Sequence, residues 1–158
     1  MNPFLQLGEN FFRHPGMRLA LIGSLLCVFV LATGCEKAPV KPVDITTNDL
    51  CFRCRAPISE IAFAAEFITK DGFVRKFDDV ACMLEHARKV GKKNILSFYA
   101  IDAQTRKLYP AEEVQFVRSD KIHTPHNGGI VAYKDPAKAD DIAARFKAEK
   151  VTLDDLMK

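Results

Sequence analysis

The stretch Lys70-Asp71-Gly72-Phe73-Val74-Arg75-Lys76-Phe77-Asp78-Asp79-Val80-Ala81-Cys82-Met83-Leu84 decides how the chain folds. Lys70-Asp71-Gly72 is hairpin-turn chemistry, because glycine takes positive φ without steric cost. Upstream, Ile61, Phe63, Ala65 and Phe67 alternate with smaller or polar residues, which predicts a half-buried strand. Phe73–Phe77 is then the returning strand. Asp78 or Asp79 caps a helix by accepting hydrogen bonds from first-turn amides that lack partners. Val80, Met83, Leu84 and Ala87 fall at i, i+3, i+4 and i+7 and form its buried stripe. Gly91 stops the helix, and Ile95–Ile101 reads as a third strand, giving ββαβ.

The C-terminal part repeats the theme. Leu108–Val114 reads as a short strand leading into the turn Pro110-Ala111-Glu112-Glu113, and Gln115–Arg118 as a further strand. A polar loop over residues 119–129 precedes the strand Ile130–Tyr133. Asp135-Pro136 opens a helix with a cap and a first-turn proline, and Ala139, Ile142, Ala143 and Phe146 supply its stripe. Thr152 with Asp155 resembles a capping box for a short final turn, Leu153–Met157. Gly72 to Asp78 and Gly129 to Asp135 share the order glycine, strand, Asp, helix. The expected class is therefore α+β, as two small ββαβ-type modules at 51–102 and 103–158.

The N-terminal third sets the expected compartment. Arg13 and Arg18 precede the uncharged run Leu19–Ala32. A spanning helix needs ~20 apolar residues, so this run has the length of a signal-peptide core instead. Ala32-Thr33-Gly34 then Cys35 resembles a bacterial lipobox, in which the signal (1–34) is removed and the Cys35 sulfur receives lipid, palmitate included. Met17 is an alternative start, and an uncleaved anchor helix is the alternative reading. Residues 35–50, with Pro39 and Pro42, read as a flexible tether. A lipid-anchored, periplasm-facing protein follows, and Glu36 after the lipid cysteine directs it to the outer membrane under the enterobacterial sorting rule.

With Cys27 discarded and Cys35 modified, Cys51, Cys54 and Cys82 remain as thiols. An odd number is awkward for a disulfide framework and suits a metal site, or one disulfide plus a free thiol. The net charge of +3 is small and no basic block interleaves with aromatics, so nucleic-acid binding has no support. Cys82 lies in a helix first turn, where the dipole favours the thiolate that binds metal. Cu(I) is soft and prefers thiolate, thioether and imidazole. Cys51, Cys54, Cys82, Met83 and His126 offer that mixture. Met83 also fits the apolar stripe, His86 reads as a surface-helix residue and His123 as a loop residue. Zinc remains open if a histidine joins the three cysteines. A thiol-disulfide enzyme using Cys51 and Cys54 is the rival from another class, although no strand precedes Cys51. Arg55 occupies the position where haem attachment needs His. No triad, phosphate loop or paired-carboxylate site stands out, so the chain reads as a non-enzyme.

The lipobox at Cys35, Cys51-x-x-Cys54, Phe77-Asp78-Asp79-x-x-Cys82-Met83, Phe98–Asp102 and Thr124-Pro125 before glycines together resemble the NosL family of copper-chaperone lipoproteins. The resemblance implies two ββαβ-type modules, Cu(I) as cargo, and delivery to a copper-dependent periplasmic enzyme such as nitrous oxide reductase or to its assembly machinery. The family pattern continues the second cysteine with Gly-Met, where this chain has Arg55-Ala56. It also places Met after Thr-Pro, where this chain has His126. Cys54 and Cys82 are the leading expected ligands, His126 takes the place of the thioether, and Cys51 and Met83 are reserves.

Overall fold

The computed structural model describes residues 40–158, so the expected signal peptide, the lipid on Cys35 and the start of the tether lie outside the described residues. Among the described residues no helix is long and apolar enough to cross a membrane. The elements in order are β1 (Ala65–Thr69), β2 (Val74–Phe77), α1 (Val80–Val90), β3 (Ile95–Ile101), β4 (Leu108–Pro110), β5 (Gln115–Arg118), β6 (Ile130–Tyr133), α2 (Pro136–Phe146), β7 (Glu149–Val151) and α3 (Leu153–Met157). The β1–β2 turn closes through Gly72 N–H to Thr69 O at 2.9 Å, with Gly72 at φ +93°. Asp79 caps α1 by accepting from the Ala81 amide, and Gly91 ends it at φ +84°.

Strand order is β2-β1-β3-β4 in one sheet and β6-β5-β7 in the other, and every pairing is antiparallel. The fold is α+β, and its two ββαβ units repeat one topology: the first strand sits between the second and third, with an Asp-capped helix between strands two and three. Thr152 and Asp155 form the capping box of α3.

Alternation along the strands assigns the faces. Phe67, Phe77 and Phe98 of the first sheet, Cys82, Met83 and Leu84 of α1, and Phe116, Ile130 and Ala132 of the second sheet share one core. Val117, Val131 and Tyr133 point to the opposite face of the second sheet, against Ala139 and Ile142 of α2. Asp102 joins the units by accepting from the Lys134 amide at 3.1 Å. Both sheets and all these core clusters fall within Val40–Lys158, which is one compact unit with a complete core of its own.

Four local readings change. Ile61–Phe63 is a single 3-10 turn, and the strand begins at Ala65 with all five residues buried. Beta-1 is central and covered on both faces, so it does not show the half-buried pattern expected of a strand with one solvated face. Residues 43–50 are strapped to the first sheet instead of forming a free tether. The Val43 amide donates to Glu66 Oε1 at 3.1 Å, Lys76 Nζ reaches Asp44 O and Asp49 Oδ2 at 2.7 and 2.9 Å, and Ile45 is buried. Leu108–Pro110 belongs to the first sheet through β3, and Ala111–Glu113 is a 3-10 turn. Beta-7 carries one buried residue, Val151, in a Glu-Lys-Val run too short for a periodicity signal.

Candidate metal centre

The Cys51–Cys54 loop forms because Arg55 adopts φ +67° and its amide donates to Cys51 O at 2.9 Å, closing a tight turn. The Phe52 amide donates to Lys76 O at 2.8 Å, which hangs this loop on the edge of β2. Beta-2 runs directly into Asp78 and α1, so the loop faces the helix start that carries Cys82.

The third contribution comes from the loop 124–129. Asp79 is fully buried and accepts three bonds: from the Ala81 amide at 2.8 Å, the Thr124 hydroxyl at 2.6 Å and the His126 amide at 2.9 Å. A Cβ on Gly128 would stand 2.3 Å from Ala81 Cβ, so only glycine lets this loop lie on the first turn of α1. The loop thereby holds His126 Nε2 at 3.1 Å from Cys54 Sγ and 3.3 Å from Asp78 Oδ2.

Cys51, Cys54, Cys82 and Asp78 present ligand atoms that all lie within 4.8 Å of one another. Two sulfurs on one ion stand at most about twice a ~2.3 Å metal–sulfur bond apart, so this set closes on a single ion with small side-chain shifts. Cys51 and Cys82 are buried, Cys54 is half-buried, and the His126 side chain is 32% exposed. The cluster thus has two sulfurs inside and an accessible thiol–imidazole edge.

Cys51, Cys54 and Cys82 are free thiols. The hydrogen bond from Cys82 draws Cys51 down to about 6, against burial, and Cys82 is pushed up by that same bond and by burial. Burial is the main cause that pushes Cys54 up. Arg53 Nη1 lies 3.6 Å from Cys82 Sγ, and its other nitrogen pairs with Glu85. That guanidinium and the α1 N-terminus both favour charge on Cys82. The first negative charge therefore belongs to the Cys51–Cys82 pair sharing one proton, and the second deprotonation is the difficult one.

Cys51, Cys54, Cys82 and His126 are brought together from three separated segments. Met83 follows Cys82 on α1, about 100° around the helix, and is fully buried in the core. His86 is half-buried among Phe52, Phe67 and Phe77, stacked on Phe67 at 5.9 Å; its position two turns into α1 put it under the Cys51 loop instead of in solvent. Burial first, then Arg75, Lys89 and Arg53, hold its pKa below the ordinary value. His123 is exposed in the loop. Asp78 was missed as a site residue. The signal was present in the Asp78-Asp79 doublet: a helix has one N-cap, so the second carboxylate has another use.

No protein-family model matches this sequence. No curated protein matches it either. The fold is similar to the crystal structure of the copper chaperone NosL from Shewanella denitrificans, with a TM-score of 0.66 at 15% identity, covering 73% of this chain and 95% of that one. At that identity the likeness concerns the fold.

Proposed function

We propose that this protein is a non-enzymatic copper carrier that binds one Cu(I) through Cys51, Cys54 and Cys82, with His126 at the open edge, and passes it to a copper-dependent periplasmic protein. The observation that carries the reading is the convergence of three thiols and an imidazole from residues 51–54, 82 and 126. The similarity of the fold to a copper chaperone supports it. Soft donors suit Cu(I), and a low coordination number leaves room for exchange. Transfer is then a ligand exchange without change of oxidation state. An incoming thiolate or thioether replaces His126 first, because it is the most exposed donor, then Cys54, while the buried Cys51 and Cys82 release last. Asp78 at 3.3 Å from the imidazole orients it and adds negative charge. In this reading Met83 packs the core behind the sulfurs. Attachment through lipid on Cys35, at the outer membrane, places the domain facing the periplasm, and a nitrous oxide reductase or its assembly machinery is one recipient.

One observation favours a second reading. Three thiols plus His126 or Asp78 also make a four-donor set of the kind that holds structural zinc. Anaerobic titration of the reduced 36–158 segment with Cu(I) against a chromogenic chelator tests the copper reading. One tight equivalent is expected, and Cys54→Ser and Cys82→Ser should each weaken it by at least about tenfold. Unchanged affinity in both variants overturns the copper reading. Retention of zinc with no displacement by Cu(I) replaces it with the structural one.

A further inference from the structure

A cavity lies on the far side of β6 from the thiols. Ile130 and Ala132 face the core that holds Cys51 and Cys82. Their neighbours Val131 and Tyr133 line a cavity of about 360 Å³. Its floor is apolar: Phe63 from the 3-10 turn, Val131, and Ile142 and Phe146 from α2. Its rim is basic, with Arg106, Lys121 and His123, and Tyr133 adds a hydroxyl; no carboxylate lines it. None of these three basic side chains takes part in an ion pair among the described residues. The rim residues are held by the fold, not by one flexible loop. Arg106 sits at the β3–β4 turn with φ +61°, where Asp102 accepts the Thr105 amide and hydroxyl. Lys121 and His123 flank Ile122, which is buried and whose amide donates to Ser119 O.

We infer that this cavity binds a small amphipathic anion, a short aliphatic or aromatic chain ending in a carboxylate or phosphate. Three features select that class. The volume falls in the range of small-ligand sites, ~300–1,000 Å³. The floor offers only apolar surface, so burying a hydrocarbon portion is the favourable part of binding. The acidic end then meets one guanidinium, one ammonium and one imidazole with no competing carboxylate at the rim, and charge-assisted hydrogen bonds are roughly twice as strong as neutral ones. A neutral chain gains only the first contribution, and a cation is repelled.

The inference stands independently of the copper reading, since no proposed ligand lines the cavity. Calorimetric titration of the 36–158 segment with octanoate, octyl phosphate and octanol tests it. At least one of the two anions should bind at 1:1 and about tenfold or more tighter than octanol. The double variant R106E/K121E, with both changes on exposed side chains, should remove that advantage and leave the octanol affinity as it was. Preference for octyl phosphate identifies a lipid phosphate as the source, and preference for octanoate a free acid. Equal binding of octanol and the anions, retention of the preference in R106E/K121E, or no binding of either anion at millimolar concentration each overturns the inference.

Discussion

The two ββαβ units are the same chain path used twice, and the difference lies at the start of each helix. In the first, Phe77-Asp78-Asp79-Val80 leads into α1; in the second, Tyr133-Lys134-Asp135-Pro136 leads into α2. Both helices are capped by an aspartate that accepts from the amide two residues on. Asp135 is exposed and does nothing further among the described residues, and the proline at the next position fixes the entry. Asp79 is fully buried, because the loop 124–129 lies on the α1 start, and the doublet leaves Asp78 free to face His126 and the sulfurs. The lesson is that a repeated fold supplies two equivalent helix starts, and a few residues turn one of them into a donor cluster.

The largest expected effect separates the two caps. Asp79→Ala removes a cap and strands two donors, the buried Thr124 hydroxyl and the part-buried His126 amide, for a cost of roughly 3–5 kcal/mol. Asp135→Ala removes only an exposed cap and should cost about 1 kcal/mol. Urea unfolding of both variants checks this, and equal losses would mean that the two helix starts are held alike.

The central strands differ as well. Beta-5 buries Phe116 and Val117, whereas β1 buries Glu66, whose Oε2 has no hydrogen-bond partner among the described residues. Burial raises the Glu66 carboxyl from its ordinary 4.5 to about 7; the Val43 amide and Lys76 oppose this, and Asp44 and Asp49 add to it. A raised folded-state pKa means that the unfolded state ionises first. Glu66 therefore contributes stability that is complete below about pH 4.5 and is lost as pH rises through about 7. The loss amounts to about 3 kcal/mol across that window. In Glu66→Gln the decline should vanish from stability curves measured between pH 4.5 and 8. A variant that tracks the wild type would show that the strap over the first sheet does not depend on this proton.

A smaller effect is expected from the loop that distinguishes α1. Gly128→Ala sets a methyl 2.3 Å from Ala81 Cβ and 2.9 Å from Asp79 Oδ1. The loop must lift, at about 2 kcal/mol by analogy with overpacked cores. Nitrogen-15 NMR should show the His126 and Cys82 amides shifting while α2 resonances stay in place. Unmoved His126 would mean that Gly128 does not set the imidazole position.

Much of this was legible because it is local. Gly72 at the turn, the Asp78-Asp79 doublet as the cap of α1, Gly91 as stop, the stripe of α1 and the limits of β3, β5, β6 and α3 all depend on neighbours within about four residues, which periodicity and capping rules describe. The Cys-x-x-Cys pair and the first-turn Cys82 were legible as donors for the same reason. Partnerships were not legible from local pattern. Residues 43–50 have the composition of a linker, yet Ile45 and the Val43 amide find the first sheet; β4 crosses into that sheet; β7 exists because β5 has a free edge to offer. His126 Nε2 meets Cys54 Sγ across 72 residues of chain, and Asp78 joins them. The sequence by itself determined the longer elements, where their helices start, and the donor types. Only the tertiary structure decided which donors share one centre. The two sheets bury a common core, and that packing presses the Thr124–Gly129 loop onto the start of α1.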